Sequence, residues 1–318
     1  MSDGVITILL AAYNGCLYIS EQLESILRQE LPEGFDLLVI VGVDPSVDDT
    51  CSLVQKFCER DSRVRLICHD SPSGNAQSNF SRLMLEVRNL SARYVCFSDQ
   101  DDVWDDDKLV TSFNKMMQME NDFGEDIPML VFSDSRVVAT ELSMIHNSFW
   151  ASDRLDPTSA LSFKKVAFQN VGQGGSFLFN RSLLELSAPI PTEARMHDHW
   201  VMLVASVFGK VGFVDRATLS YRQHQANVLG STGHGVLQSM QRFLLRRRTI
   251  VDAILASENQ SAVFLKRYED RLTHESREFF CQMAHLNEKS FFYRRWFLLR
   301  HGIKMTSYDR TLGLYLLV

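Results

Sequence analysis

The 318-residue sequence is first informative through what it lacks. No uninterrupted apolar run reaches the roughly 20 residues of a spanning helix, so none is expected. The chain opens Met-Ser-Asp-Gly and runs straight into a strand-like stretch. No basic segment followed by an apolar one precedes it, so no signal peptide is expected. The six cysteines (Cys16, Cys51, Cys58, Cys68, Cys96 and Cys281) contain no Cys-x-x-Cys pair, which speaks against a zinc ribbon. Several sit in apolar or helical runs, where a free thiol behaves as a small buried hydrophobe, and this favours a reducing, cytoplasmic setting. Internal repeats and low-complexity segments are absent. Apolar residues make up 45% and charged residues 23%, enough to bury a sizeable core without disulfides or structural metal.

The net charge of −6 is unevenly spread. Residues 241–318 hold 14 Lys and Arg against 8 Asp and Glu, a net of +6, which leaves −12 on the rest. So acidic a body argues against nucleic acid as its partner. The basic tail suits an anionic surface.

Strands and helices alternate through the first part. Residues 5–11, 37–41, 64–68 and 94–97 are short β-rich apolar runs suited to buried parallel strands. Between them, 19–29, 50–60 and 75–87 show helical spacing, which implies right-handed βαβ crossovers. Further on, a helix to about 120, a strand over 129–138, an apolar strand over 177–179, a helix over 197–208 and one or two short strands in 211–221 are expected. Ligands of such sheets collect beyond the carboxyl ends of the strands. The polar stretches there are Ala12-Tyr13-Asn14, Asp44-Pro45-Ser46 and Asp99-Gln100-Asp101.

The last of these carries the most chemistry. A buried strand, Tyr94 to Phe97, runs into Asp99, Asp101 and Asp102. Clustered carboxylates repel one another unless a hard cation lies between them and a phosphate. Asp105 to Asp107 are placed to cap the helix that follows, so Asp99 is not needed for that purpose. Asp198 opens an apolar helix, where an Asp is by default an N-cap.

The segment Phe-Ser-Asp-Gln-Asp-Asp-Val-Trp, residues 97–104, resembles the DxD region of family-two glycosyltransferases with the GT-A fold. Ala-Ala-Tyr-Asn-Gly (11–15), His-Asp-His-Trp (197–200) and Tyr-Arg-Gln-His (221–224) continue the resemblance in order over about three-quarters of the chain. It is nearest to bacterial enzymes of O-antigen and capsule assembly, including rhamnosyltransferases. The resemblance implies an α/β fold, a Rossmann-like mixed sheet flanked by helices with a helical C-terminal extension. Residues 1–235 would form the catalytic domain, with a nucleotide-binding half (1–107) and an acceptor half (108–235), and 236–318 the extension. It also implies an inverting transfer from a dTDP- or UDP-sugar, with Mg²⁺ or Mn²⁺, to a lipid-linked saccharide at the inner face of the bacterial membrane.

Carried over by residue, Asp198 would be the catalytic base. Ala12, Tyr13, Asn14, Asp44, Asp99, Gln100 and Arg222 would surround the donor, and Asp101, His224 and Asp99 the metal. Trp104, Gly174, Gly175, His197 and Trp200 would line the sugar and acceptor pocket. The family's Asp-Asp-Gly-Ser-Thr-Asp reads here Val43-Asp-Pro-Ser-Val-Asp48, a departure at Val43 and Pro45. Residues 230–235 have the composition of a lid. Residues 241–250 and 291–304 mix Arg with bulky apolar side chains as interfacial helices do, or as amphipathic helices packed on the domain do. Two rivals stand beside this assignment: a nucleotide-sugar-binding module without catalysis, and a haloacid-dehalogenase-type phosphatase, which the order of motifs disfavours.

Overall fold

The computed structural model describes residues 4–224, 239–304, 311 and 315. Its frame is a parallel set of four strands, β1 (Gly4–Ala12), β2 (Phe35–Val43), β3 (Val64–Cys68) and β4 (Ala92–Asp99), linked by α1 (Ile19–Leu27), α2 (Thr50–Arg60) and α3 (Ala76–Val87). The run in β1 is apolar but for the buried Thr7 because both of its faces are covered. Ile6, Ile8, Leu10 and Ala12 join a core with α1 and α2, whereas Leu9 joins the opposite core with Phe80, Leu83 and Met84 of α3.

The chain then adds β5 (Val103–Trp104), α4 (Lys108–Phe123), β6 (Met129–Val138), β7 (Met144–His146), α5 (Phe149–Asp153), α6 (Phe163–Val166), β8 (Leu178–Asn180), α7 (Arg181–Ser187), α8 (His197–Phe208) and β9 (Lys210–Arg222). Strand order is β3-β2-β1-β4-β8-β6-β9-β5, with β7 paired to β6. The chain winds outward from β1 to β3 and returns to β4 on the other side of β1. That reversal opens a crevice at the carboxyl ends of β1 and β4. Strand β8 is antiparallel to both β4 and β6, which makes the sheet mixed. The region expected to give one or two short strands is one 13-residue strand, β9, which delivers its end to the same crevice.

Two expectations are corrected. Asp107 occupies the N-cap of α4 without a side-chain cap hydrogen bond. Asp105, Asp106 and Asp107 instead hold Arg136, Arg28 and Arg216, so the acidic run ties β6, the end of α1 and β9 to one turn. Of the cysteines only Cys96 is fully buried, and Cys51 and Cys68 place their Sγ atoms 2.6 Å apart as free thiols at the partly open edge of β3.

Three helices follow, α9 (Ser239–Tyr268), α10 (His274–Met283) and α11 (Phe291–Arg300). Phe264 and Tyr268 pack on Trp200 and Phe208 of α8 with ring centroids 4.9–6.0 Å apart. The core continues from there into Phe279, Phe280, Phe297 and Leu298, so these helices share the core of the sheet. Trp200 is accordingly a core residue rather than a pocket residue, fully buried, with its indole N–H donated to the Ser187 carbonyl at 3.0 Å. Among the described residues no helix is long and apolar enough to cross a membrane. The loop 230–235 and the side chains of 241–250 lie outside the described residues.

Candidate active site

The crevice floor is built by backbone pairing across the β1–β4 boundary, where Ala11 lies opposite Asp99. Just beyond, the Tyr13 N–H donates to Gln100 Oε1 (2.8 Å) and Gln100 Nε2 returns a bond to the Tyr13 carbonyl (3.0 Å). Gln100 thus braces the first loop instead of facing a donor. Asn14, at φ 47°, accepts from the Val47 N–H while its own N–H donates to Ser46 Oγ. Ala12 contributes its carbonyl, which accepts from the Asp44 N–H. The Asp44 carboxylate is held by the Ser73 N–H and hydroxyl. This leaves the Tyr13 ring exposed at the rim, 56% accessible.

The carboxylates that follow β4 are gathered as expected. Burial, then Asp101 and Asp198, pushes Asp99 up to about 7. Burial, then Asp101 and Asp99, holds Asp102 well above the ordinary carboxylate range. His224 arrives from beyond β9 and places Nε2 2.8 Å from Asp101 Oδ2, with its ring stacked on Tyr18 at 5.0 Å. Arg222 is placed differently from its expected role. Its Nε donates to the Asp101 carbonyl (2.9 Å) and its remaining nitrogens bond Thr140 and Glu21, with the guanidinium over the Tyr18 ring. At 3% exposure it clamps the acidic loop, and no face remains for a phosphate.

Across the crevice, Met196 is the N-cap of α8, so Asp198 is the second residue of the helix, in its first turn, and is not its N-cap. Its carboxylate accepts from the His199 N–H (2.6 Å) and the Gly174 N–H (3.2 Å). Burial raises it to about 6, against the lowering effect of those donors. A Cβ on Gly174 would meet His197 Nε2 at 2.6 Å, and one on Gly175 would meet Asp102 Oδ2 at 3.0 Å. The glycines are there because the backbone presses directly on the His197 ring and the Asp102 carboxyl. His197 is buried between Phe80 and Phe97, which lowers it to about 3 and keeps it neutral. Trp104 is also buried, beneath the loop, with Lys108 Nζ 3.8 Å from its ring centre.

One functional feature was not anticipated. Helix α1 and the turn just after it direct buried polar residues, Gln22, Ser25 and then Gln29, toward the acidic loop. With its amide oriented to satisfy both ends, Gln22 donates to the Asp102 carbonyl (2.6 Å) and accepts from Trp104 Nε1 (3.1 Å) and Ser98 Oγ (2.6 Å). Ser25 Oγ accepts from the Trp104 N–H, and Gln29 bonds both the Asp105 carbonyl and the Leu109 N–H. The i, i+3, i+7 spacing of polar residues beside an apolar face was the available signal.

Among the described residues, no three His, Cys, Asp or Glu side chains converge as a ready metal cage. Asp101 and His224 nevertheless form a hard oxygen and imidazole pair beside carboxylates whose mutual repulsion a cation relieves. A divalent ion fits there if phosphate oxygens and water supply its other ligands, the usual arrangement for Mg²⁺.

The model of Glycosyl transferase family 2 matches residues 7–126, from β1 through the acidic loop to just past α4. The chain carries a family-2 glycosyltransferase domain. Over 231 residues this glycosyltransferase is 26% identical to the dTDP-rhamnosyl transferase RfbG of Shigella flexneri, covering 70% of this chain and 74% of that one. It is 30% identical over 118 residues to the UDP-Glc:alpha-D-GlcNAc-diphosphoundecaprenol beta-1,3-glucosyltransferase WfgD of Escherichia coli, 37% of this chain and 43% of that one. In fold it is similar to the mannosyltransferase PcManGT of Pyrobaculum calidifontis, solved with GDP-Man and Mn²⁺, at a TM-score of 0.51 and 18% identity over 98% of this chain and 86% of that one. S. aureus TarS with UDP-GlcNAc gives a TM-score of 0.51 at 15% identity over 94% of this chain and 79% of that one. The mixed sheet with flanking helices is therefore the GT-A fold.

Proposed function

We propose that this glycosyltransferase moves a sugar from a nucleoside-diphosphate donor to a lipid-linked saccharide, with inversion at the anomeric carbon, during assembly of a bacterial surface polysaccharide. The observation that carries the proposal is the meeting of Asp99, Asp101 and His224 with Asp198 across one crevice. Asp198 takes the proton of the acceptor hydroxyl as that oxygen attacks opposite the leaving diphosphate. Its value of about 6 leaves it ionised at neutral pH yet basic enough for the task. Asp101 and His224 would hold Mg²⁺ or Mn²⁺, with Asp99 at the edge of that site. A cation bound there supplies charge neutralisation for the departing diphosphate. Tyr13 and Asp44 flank the base, and the Gly174–Gly175 backbone backs the sugar.

Rhamnose from a dTDP donor is the favoured substrate, supported by the relative named as a dTDP-rhamnosyl transferase. A relative named for a diphosphoundecaprenol-linked acceptor supports the lipid-linked acceptor and work at the inner face of the cytoplasmic membrane. The test is donor turnover across a panel of nucleotide sugars with Mn²⁺, Mg²⁺ or EDTA. Metal-dependent release of one nucleoside diphosphate is expected, with Asp101→Ala lowering it by about 10²–10³-fold. Donor binding without turnover, even with membrane extracts as acceptor, would make the chain a nucleotide-sugar-binding module. Full activity in EDTA would remove the metal from the scheme.

A further inference from the structure

Helix α11 presents a surface that sugar transfer does not use. Its inner face is closed: Phe297 and Leu298 are fully buried, and Phe297 stacks on Phe279 of α10 at 5.5 Å. The outer face of such a helix is ordinarily polar. Here it carries Phe292, 80% exposed, and Leu299, 67% exposed, together with exposed Phe291 and Trp296. At about 100° per residue, Phe292, Trp296 and Leu299 fall within roughly 60° of one another and form one apolar stripe.

Cations border that stripe. The Arg295 guanidinium lies 3.1 Å from the centre of the Phe291 ring, and that of Arg300 lies 4.9 Å from the centre of Trp296. From Ser290 to Lys304 the chain holds three arginines and one lysine and no acidic residue, on a protein whose net charge is −6. Bulky aromatics set among basic side chains match the boundary between lipid headgroups and acyl chains, where apolar rings insert and cations meet phosphates. A second copy of the chain is a poorer occupant. A two-fold contact would set this basic stripe against itself, and like charges would oppose the apolar gain.

We propose that the outer face of α11 docks on an anionic lipid bilayer, with Phe292, Trp296 and Leu299 entering the interface and Arg300 and Lys304 meeting lipid phosphates. The inference stands on this surface and does not depend on the donor or acceptor of the transfer reaction.

The test is co-sedimentation of the full chain with vesicles of phosphatidylcholine alone and of phosphatidylcholine mixed with phosphatidylglycerol, at low and high salt. Binding to the anionic vesicles is expected, weaker on the neutral ones and reduced by salt. The triple variant Phe292→Ser, Trp296→Ser, Leu299→Ser should lower the partition coefficient at least about a hundredfold. Its exposed positions should leave the thermal midpoint and circular dichroism unchanged. Arg300→Gln with Lys304→Gln should lower anionic binding roughly thirtyfold and neutral binding little. Absence of wild-type binding to anionic vesicles, or equal binding by the triple variant, would overturn the proposal. So would a dimer seen by light scattering that the triple variant abolishes while no vesicle binding occurs.

Discussion

In the proposed scheme Asp198 would serve chemistry at the expense of stability. Its folded value of about 6 exceeds the ordinary 3.8, so the folded chain holds this proton more tightly than the unfolded chain does. The stabilisation is complete below about pH 4 and is lost as pH rises through about 6. Buried His197 and His199, both lowered to about 3, act in the opposite sense, since their neutrality costs stability only as pH falls below the ordinary histidine value. Comparing Asp198→Asn with wild type cancels the histidines. The variant should be more stable by roughly 1–2 kcal/mol near pH 8 and nearly equal near pH 4, as read by denaturant unfolding at each pH. In transfer assays the same variant should lose about 10²–10⁴-fold in kcat with donor KM little changed. Wild-type kcat/KM should rise through about pH 6 as Asp198 loses its proton. A variant that keeps its turnover would show that some other group accepts the proton.

Helix α1 works by a different means: it touches no reacting group in the scheme and yet holds the loop that does. Removing the amide of Gln22 strands the Asp102 carbonyl and Trp104 Nε1 and leaves Ser98 Oγ with the Asp99 carbonyl. Gln22→Leu should therefore cost about 2–3 kcal/mol of stability. It should also raise the metal concentration for half-maximal turnover by about tenfold, because the acidic loop loses its fixed geometry. A purely structural role would lower stability and leave the metal titration in place. This helix also marks how far the elements were legible. Strands β1, β2 and β4 could be read because burial on both faces demands an apolar run, and helices α1 to α3 because one buried face repeats every turn. Two-residue β5, three-residue β7 and the short helices α5 to α7 are too brief to show a period. Gln22, Ser25 and Gln29 carry no mark of burial in the sequence, since polarity alone does not distinguish water from a buried partner on another element. The same limit applies to Arg222. An arginine at a strand end suggests a phosphate until Glu21 and the Thr140 carbonyl, both distant in sequence, arrive to occupy it. The acids, Asp198 and His224 were legible because four motifs fall in order at strand or helix ends, a pattern that local packing does not produce.

At the scale of the molecule, the expected boundary near residue 235 divides the sequence but not the core. Trp200 and Phe208 of α8 are covered by Phe264 and Tyr268 of α9, which lie in turn against Phe280 and the rest of the helical layer. Helix α8 also carries Asp198 in its first turn, so the basic C-terminal layer buttresses the helix that positions the proposed base. Removing residues 239–318 would expose a large aromatic surface on α8 and would not release an independent catalytic domain. Trp200→Ala, which hollows the junction without cutting the chain, should cost about 3–5 kcal/mol. If the layers fold as one unit, tryptophan fluorescence and far-ultraviolet circular dichroism of the wild type should report the same denaturant midpoint, and in Trp200→Ala the circular dichroism midpoint should fall as a single transition. Two separated transitions, with the earlier one alone moved by Trp200→Ala, would mean that the C-terminal helices detach on their own. The shared core would then be an interface between two folding units, and the membrane-facing stripe of α11 would ride on a layer able to move relative to the crevice.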